Sequence, residues 1–309
     1  MQKILMYWSN ICVLKRLEEA ALERLKQTLY GRGIELEVRS FGLGHEYAMN
    51  EYMRLDDAVP DIIVSTDAEV FEDAGIFGRI ENKLKDISGW FTLKDVLPPE
   101  VRQGPKLLPF LVIPLVFSYN DPSVFRGGVP SLRNVIENKI PLCFGGINNS
   151  GARSVVKVVM DGYGAAEARA FIARSMITGM PVQAFSAVRS GAASLALVPS
   201  IYAVRADNRE LFMSWPADGA VAVPSYIAVR EDAKNARAVL ETLLTEEFCS
   251  AFAVRGEIFS AISGTEDTRL MRDNNFHFRY PSAKWLAGGA QEEFYTVYDA
   301  DVRKIVGLV

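Results

Sequence analysis

Two hydrophobic periods alternate along the first part of this chain. Lys3 to Trp8 is a short apolar run of the kind a buried strand carries. From Val13 to Tyr30, the residues Leu14, Leu17, Ala20, Ala21, Leu25 and Leu29 recur at about 3.6-residue spacing, which predicts an amphipathic helix. Gly31 and Gly33 stop it. Ile34 to Val38 alternates as a strand, His45–Leu55 reads as helical, and Pro60 leads into a second buried strand, Asp61-Ile62-Ile63-Val64-Ser65. This β-α-β-α-β order predicts a parallel sheet with helices on both faces. Such sheets bind ligands beyond the carboxyl ends of their strands, which here are Trp8-Ser9-Asn10 and Ser65-Thr66-Asp67.

The pattern breaks at Leu107–Tyr119, an apolar stretch holding Pro109 and Pro114. Prolines of this kind suit an edge strand or a crossing between lobes. A βα rhythm then restarts. Leu132–Ile136 reads as a short helix, Pro141–Gly146 as a strand into a glycine turn, and Ala152–Met160 as a helix capped by Asn149 or Ser150. Helices over Ala165–Thr178 and Val182–Ser190 and a strand over Ser194–Val198 follow. Ala220–Pro224 reads as a return crossing and Ser225–Val229 as a strand, with helices at Asn235–Leu244 and Glu246–Ala253. The C-terminal third, through Trp285 and Phe294–Val306, is expected to pack on the first lobe. The fold class is therefore α/β: two Rossmann-like lobes joined by two crossing strands. Residues 1–117 plus 220–309 form lobe 1 and residues 118–219 form lobe 2.

A length of 309 residues fits two domains, and 49% hydrophobic against 23% charged residues excludes wholesale disorder. The balance of 34 Lys+Arg against 38 Asp+Glu gives a net charge of −4, which offers no general attraction to nucleic acid. With only two histidines, His45 and His277, a multi-histidine metal centre is excluded. No apolar stretch reaches the roughly 20 residues that span a bilayer. Cys12, Cys143 and Cys249 are widely spaced and odd in number, so they indicate neither a disulfide framework nor a zinc site. All three read as small buried side chains; Cys12 alone is placed suggestively, at a helix start that would lower its pKa. No GxSxG, HExxH, P-loop or strand-to-helix GxGxxG occurs, so no enzyme and no cofactor is read from the sequence.

The chemistry that stands out is anion binding. Ser9-Asn10 and Asn149-Ser150-Gly151 each stand where a helix follows a strand, where main-chain N–H groups and the positive end of the helix dipole collect. Gly151 lets a ligand approach the backbone, and Arg153, one turn in, supplies a guanidinium. Taken singly, these residues are ordinary caps and a surface arginine. Asp67 caps the next helix or binds a ligand amine, the latter suiting a zwitterion. Trp8 and Tyr202 either stack on a ligand or pack in the core. Phe276-His277-Phe278-Arg279-Tyr280 reads as a surface loop packed on the core.

Several segments follow one another in a recognisable order. They are Pro60–Asp67, Ile113–Asn120, the Gly145–Ser154 turn, Leu195–Ser200, Trp215-Pro216-Ala217-Asp218-Gly219-Ala220 and Pro224–Val229. In that order and spacing, over nearly the whole chain, they resemble the type II periplasmic solute-binding proteins of ABC importers, in the branch that takes ferric iron, phosphonates and sugar phosphates. The resemblance implies a non-catalytic protein holding one small anionic or zwitterionic ligand between its lobes, with hinge closure near Ser118-Tyr119 and Ser214-Trp215. It implies ligand contacts from Trp8, Ser9, Asn10, Ser65, Thr66, Asp67, Tyr119, Asn148, Asn149, Ser150, Gly151 and Arg153, with Pro199, Ser200 and Tyr202 opposite. The partners implied are that solute and a membrane permease; the protein itself is expected to be monomeric, with no bilayer span and no nucleic acid. Ferric binders of this branch carry adjacent tyrosines where Ile201-Tyr202 has one, so Tyr202 is a metal ligand only in the ferric-iron alternative. A cytoplasmic enzyme or sensor on the same scaffold is the remaining alternative. The resemblance implies a periplasmic or extracellular location. The start of the chain does not read as an export signal, which is the case for the cytoplasm.

Overall fold

The computed structural model describes residues 1–11, 14–56, 58–146, 150–272, 276–288, 293–295, 298, 300 and 302. In chain order the first half holds β1 (Gln2–Ser9), α1 (Lys15–Tyr30), β2 (Ile34–Phe41), α2 (Met49–Leu55), β3 (Ile62–Ser65), α3 (Glu69–Glu72), α4 (Phe77–Ile80), β4 (Leu108–Tyr119), α5 (Leu132–Glu137) and β5 (Cys143–Gly145). There follow α6 (Ser150–Arg174), β6 (Met176–Thr178), α7 (Pro181–Arg189), β7 (Leu195–Pro199), α8 (Ser200–Ala203), β8 (Phe212–Ser214), β9 (Ala220–Val229), α9 (Ala236–Leu243) and α10 (Glu246–Gly256). Last come β10 (Phe259–Ser260), α11 (Arg269–Arg272), β11 (Phe278–Arg279) and α12 (Ala283–Ala287).

Tertiary contacts divide the chain into two compact units, Met1–Val112 with Pro224–Thr268, and Ile113–Val223 with Arg269–Val309. The hydrogen-bonded path through the strands is nonetheless continuous, β2-β1-β3-β9-β4-β7-β5-β6, because β4 and β9 each run from one unit into the other. Both strands change unit at a proline or one residue before it, Ile113-Pro114 in β4 and Val223-Pro224 in β9. Proline has no N–H to give to a ladder. In β4, Pro114 falls between the residues paired to β10, Leu111 and Val112, and those paired to β7, Leu115 to Tyr119. The expected hinges at Ser118-Tyr119 and Ser214-Trp215 therefore sit inside the second unit, not at these crossings.

In the first unit β1 lies between β2 and β3, parallel to both, and β9 runs antiparallel to β3. One face is filled by Tyr7, Phe41, Ile63 and Tyr226 with Met49, Met53, Val70 and Phe71 of α2 and α3. In the second unit β5 lies between β6 and β7, parallel to both, and β4 runs antiparallel to β7. One of its clusters gathers Val155, Val156 and Val159 of α6 with Phe117, Leu132 and Phe144; another gathers Phe185 and Val188 of α7 with Val198 and Tyr202. Each unit thus repeats three parallel strands flanked by an antiparallel crossing strand.

Several expectations need correction. Residues from Arg269 onward belong to the second unit, not to lobe 1. Trp285, Phe294, Tyr298 and Val302 bury their side chains with Val155 and Val159 of α6, a pairing that amphipathic periodicity cannot assign. Met176–Thr178, expected as a helix end, is strand β6; Ile177 and Thr178 are β-branched and favour it. The long helix α6 is broken at Gly164, whose φ of 82° lies where only glycine is comfortable, so two predicted helices abut there. Of the two readings of Leu107–Tyr119, an edge strand or a crossing, β4 is the crossing: it lies between β9 and β7. Phe278 and Arg279 form β11, parallel to Ala220 and Val221 of β9. Among the described residues no helix is long and apolar enough to cross a membrane.

Candidate functional site

In the first unit the pairing of Trp8 with Val64 brings the ends of β1 and β3 side by side, so Ser9-Asn10 and Ser65-Thr66-Asp67 share one rim. Four main-chain donors on and beside this rim are engaged within the unit. Asn10 N donates to Phe41 O at 3.0 Å and Ile11 N to Glu18 Oε2 at 2.9 Å. Asp67 N donates to Ser65 Oγ at 3.0 Å and Glu69 N to Asp67 Oδ1 at 3.2 Å, so Asp67 acts as the helix cap. Asn10 Nδ2 donates to Leu43 O, while its Oδ1 is buried and accepts no hydrogen bond among the described residues. A Cβ on Gly42 would stand 2.5 Å from that oxygen, and the φ of 102° there is one that favours glycine.

Two buried acids that the sequence reading did not single out hold this rim from behind. Glu18 accepts Trp8 Nε1 at 3.2 Å as well as Ile11 N, and burial pushes its pKa up to about 8. Glu69 accepts Asn50 Nδ2 at 3.0 Å and pairs with Arg54, which also reaches Asp73 Oδ2 at 2.6 Å. Trp8 is 2% exposed, edge-on to Phe110, and so belongs to the core instead of facing a ligand.

In the second unit Phe144 of β5 pairs with Leu197 of β7, which sets the end of β5 beside Pro199-Ser200. Gly145 is required by close approach: a Cβ there would stand 2.5 Å from Met180 O. Beyond it α6 begins at Ser150 and Gly151 with no acid in its first turn. Arg153 and Lys157, four residues apart on one face of α6, are buried. The Arg153 guanidinium stands 5.9 Å from the ring centroids of Tyr295 and Tyr298, and Lys157 Nζ stands 5.1 Å from that of Phe294. Arg153 thus lies against the C-terminal aromatic residues, a cation–π arrangement that the sequence did not foreshadow. Asn148, Asn149 and Cys12 lie outside the described residues.

The remaining predicted contacts are core side chains. Tyr119 stacks on Phe212, and its hydroxyl meets Ser214 Oγ at 2.7 Å. Tyr202 stacks on Phe185 within the α7 cluster. Asp218 carries another role the sequence hid: it accepts Leu132 N and Arg133 N at the start of α5 and pairs with Arg279. Burial pushes the thiols of Cys143 and Cys249 up to about 11, which keeps both protonated and poorly nucleophilic at neutral pH. Among the described residues no three His, Cys, Asp or Glu side chains are grouped so that they could hold a metal ion.

No family model matches this sequence, and no curated protein does. Solved structures do. A ferric binding protein from Campylobacter jejuni superposes with a TM-score of 0.70 at 14% identity, covering 96% of this chain and 99% of that one. The chain has the fold of a type II periplasmic binding protein. IdiA (FutA) of Trichodesmium, solved with iron and citrate, gives a TM-score of 0.67 at 16% identity over 97% of this chain and 99% of that one. The periplasmic binding protein AfuA of Actinobacillus pleuropneumoniae, solved with fructose-6-phosphate, gives 0.63 at 13% identity over 98% and 99%. These structural neighbours are binding proteins, not enzymes, and their fold has the two-lobed α/β arrangement expected from the sequence.

Proposed function

We propose that this protein is the solute-binding component of an ABC-type importer and captures one small ligand bearing a phosphate, phosphonate or carboxylate group. The observation that carries the reading is the start of α6. A helix beginning at Ser150-Gly151, directly after a parallel strand and without a first-turn acid, directs its dipole and main-chain donors at an anion. Ser200, at the end of neighbouring β7, adds a hydroxyl. In the first unit the rim of Ser9, Asn10, Ser65, Thr66 and Asp67 supplies acceptors, which suits hydroxyl or amine groups of a ligand. Crossing strands β4 and β9, with their prolines, are where closure on the ligand would bend the chain. The location that goes with this function is periplasmic or extracellular, and the protein performs no chemistry on its ligand.

Ferric iron is the second reading, favoured by what the Campylobacter and Trichodesmium proteins are named for. Against it, Tyr202 is stacked within an apolar cluster. Calorimetry and thermal denaturation with sodium phosphate, fructose-6-phosphate, 2-aminoethylphosphonate, citrate and ferric citrate separate the two. A saturable rise in melting temperature with a phosphorylated or phosphonate probe, recovered chemically unchanged, is expected. A rise with ferric citrate and not with citrate supports the iron reading, and turnover of any probe overturns both.

A further inference from the structure

Helix α1 carries a carboxylate on its buried face that its apolar pattern does not call for. Glu18 is 2% exposed. Its Oε1 accepts the indole N–H of Trp8 and its Oε2 the amide N–H of Ile11, at 3.2 and 2.9 Å. These donors flank Ser9 and Asn10, so one side chain spans the turn between β1 and α1. No cation among the described residues balances it. Among the described residues the one charge acting on it is Glu19, next on the same helix, which repels it; the strand and turn bring only the neutral donors of Trp8 and Ile11. β2 and α9 pack along α1, and none of their ionisable groups is among the influences on Glu18.

We propose that Glu18 is the positioning residue of the β1–α1 turn: its two bonds fix the separation of Trp8 and Ile11, and the geometry of Ser9-Asn10 changes when Glu18 gains or loses a proton. As a carboxylate it accepts through both oxygens. As a carboxylic acid one oxygen carries hydrogen toward an N–H donor, so one of the two bonds weakens and the turn relaxes on that side. Burial without a counter-charge is the largest influence on this group and holds its pKa near 8, close to ordinary working pH, so both states are accessible. The consequence for a ligand rests on the proposed binding function; the geometry of the turn does not. A cationic ligand group at Ser9-Asn10 favours the carboxylate.

The test is a titration of the ligand-free full chain by nitrogen–proton NMR from about pH 6 to about pH 10, a window that brackets the expected midpoint. It follows the Trp8 indole signal, assigned with Trp8→Phe, and the Ile11 amide. Both are expected to share one inflection far above the usual carboxylate range and to lose it in Glu18→Gln. Amide exchange in Glu18→Gln is expected to rise at Ser9–Ile11 and to stay unchanged at Leu22–Leu29, a pattern that general destabilisation does not give. A flat wild-type titration, or an inflection that persists in Glu18→Gln, overturns the proposal. Trp8→Phe removes only one of the two bonds and keeps the question answerable if Glu18→Gln does not fold: the Ile11 amide must still titrate, and its failure to do so is equally decisive. Adding 2-aminoethylphosphonate, whose amine suits the acceptors of this rim, is expected to lower the midpoint. If it moves no signal while the titration persists, the amine reading of this rim fails and the positioning role of Glu18 stands.

Discussion

The turn after β1 and the turn after β5 occupy the same topological place, each at the end of the central strand of three parallel strands. They are furnished in opposite ways. At the first, the amides of Asn10 and Ile11 already donate to Phe41 O and to Glu18, and the neighbouring β3 turn is closed by Ser65 and Asp67. At the second, α6 starts without an acid, and two buried cations follow at Arg153 and Lys157. The contrast is local, not a property of the whole unit, because α5 in the second unit is closed by its own anion, Asp218. A βα turn is therefore not an anion site by virtue of its topology. What decides is whether the chain has placed a carboxylate where the ligand would go.

The sharpest way to break this contrast is to give the second turn what the first already has. Gly151→Asp places a carboxylate in the first turn of α6. Removing the charge-assisted bonds of an anionic ligand and adding repulsion should weaken its binding about a hundredfold. Folding should not suffer, since an acid suits the positive end of a helix. Calorimetry with the best phosphorylated probe, beside a Gly151→Ala control and melting temperatures for both variants, reads the outcome. Unchanged affinity in Gly151→Asp removes α6 from the site.

The reverse experiment acts on the first unit. Arg54→Ala leaves Glu69 buried with Asn50 as its remaining side-chain donor among the bonds described above. Breaking a buried pair is costly, but Arg54 is itself half exposed, so a loss of about 2 kcal/mol is expected in urea denaturation. Glu69→Gln in the same background should restore part of it by discharging the stranded group. If the double variant is no more stable than Arg54→Ala, the pair does not hold the β3–α3 turn as described.

How much of this could be read from residues alone follows from what periodicity measures. Apolar spacing revealed the two βα series and the two crossing strands, because a buried strand or helix face must repeat its apolar residues. It could not reveal Glu18, a polar residue on an apolar face whose partners, Trp8 and Ile11, meet it only after the turn closes. It could not tell which lobe takes Trp285 and Phe294, since aromatic residues bury against any complementary surface and that surface, α6, is more than a hundred positions away. Trp8, Tyr119 and Tyr202 were read as possible ligand contacts for a related reason. An aromatic ring with a polar tip looks the same in sequence whether it faces a solute or the interior, and here Trp8 and Tyr119 satisfy their polar tips at Glu18 and Ser214. The candidate turns were legible as turns; their state of internal occupation was not.

The last prediction tests the self-occupied turn through stability instead of binding, read as a slope with pH instead of a single difference. Glu18 in the folded chain holds its proton up to about pH 8, whereas in the unfolded chain it releases it near the ordinary glutamate value of 4.5. Between those two values the folded state binds more protons than the unfolded one, so this group's contribution to stability is full below the lower value and is lost as pH rises through the upper. The slope cannot exceed about 1.4 kcal/mol per pH unit, the limit for a single proton. Above the upper value both states are ionised and the slope vanishes. Urea denaturation of wild type and of Glu18→Gln at a series of pH values isolates the effect as the difference between two curves, since all other titrating groups are common to both. The difference should widen steadily in favour of Glu18→Gln up to the upper midpoint and then level off, because the buried charge that penalises wild type there is missing from the glutamine variant. Parallel curves would mean that the carboxylate is ionised in the folded chain throughout, and the turn after β1 would then resemble an occupied anion site with a permanent charge instead of one held by a titrating proton.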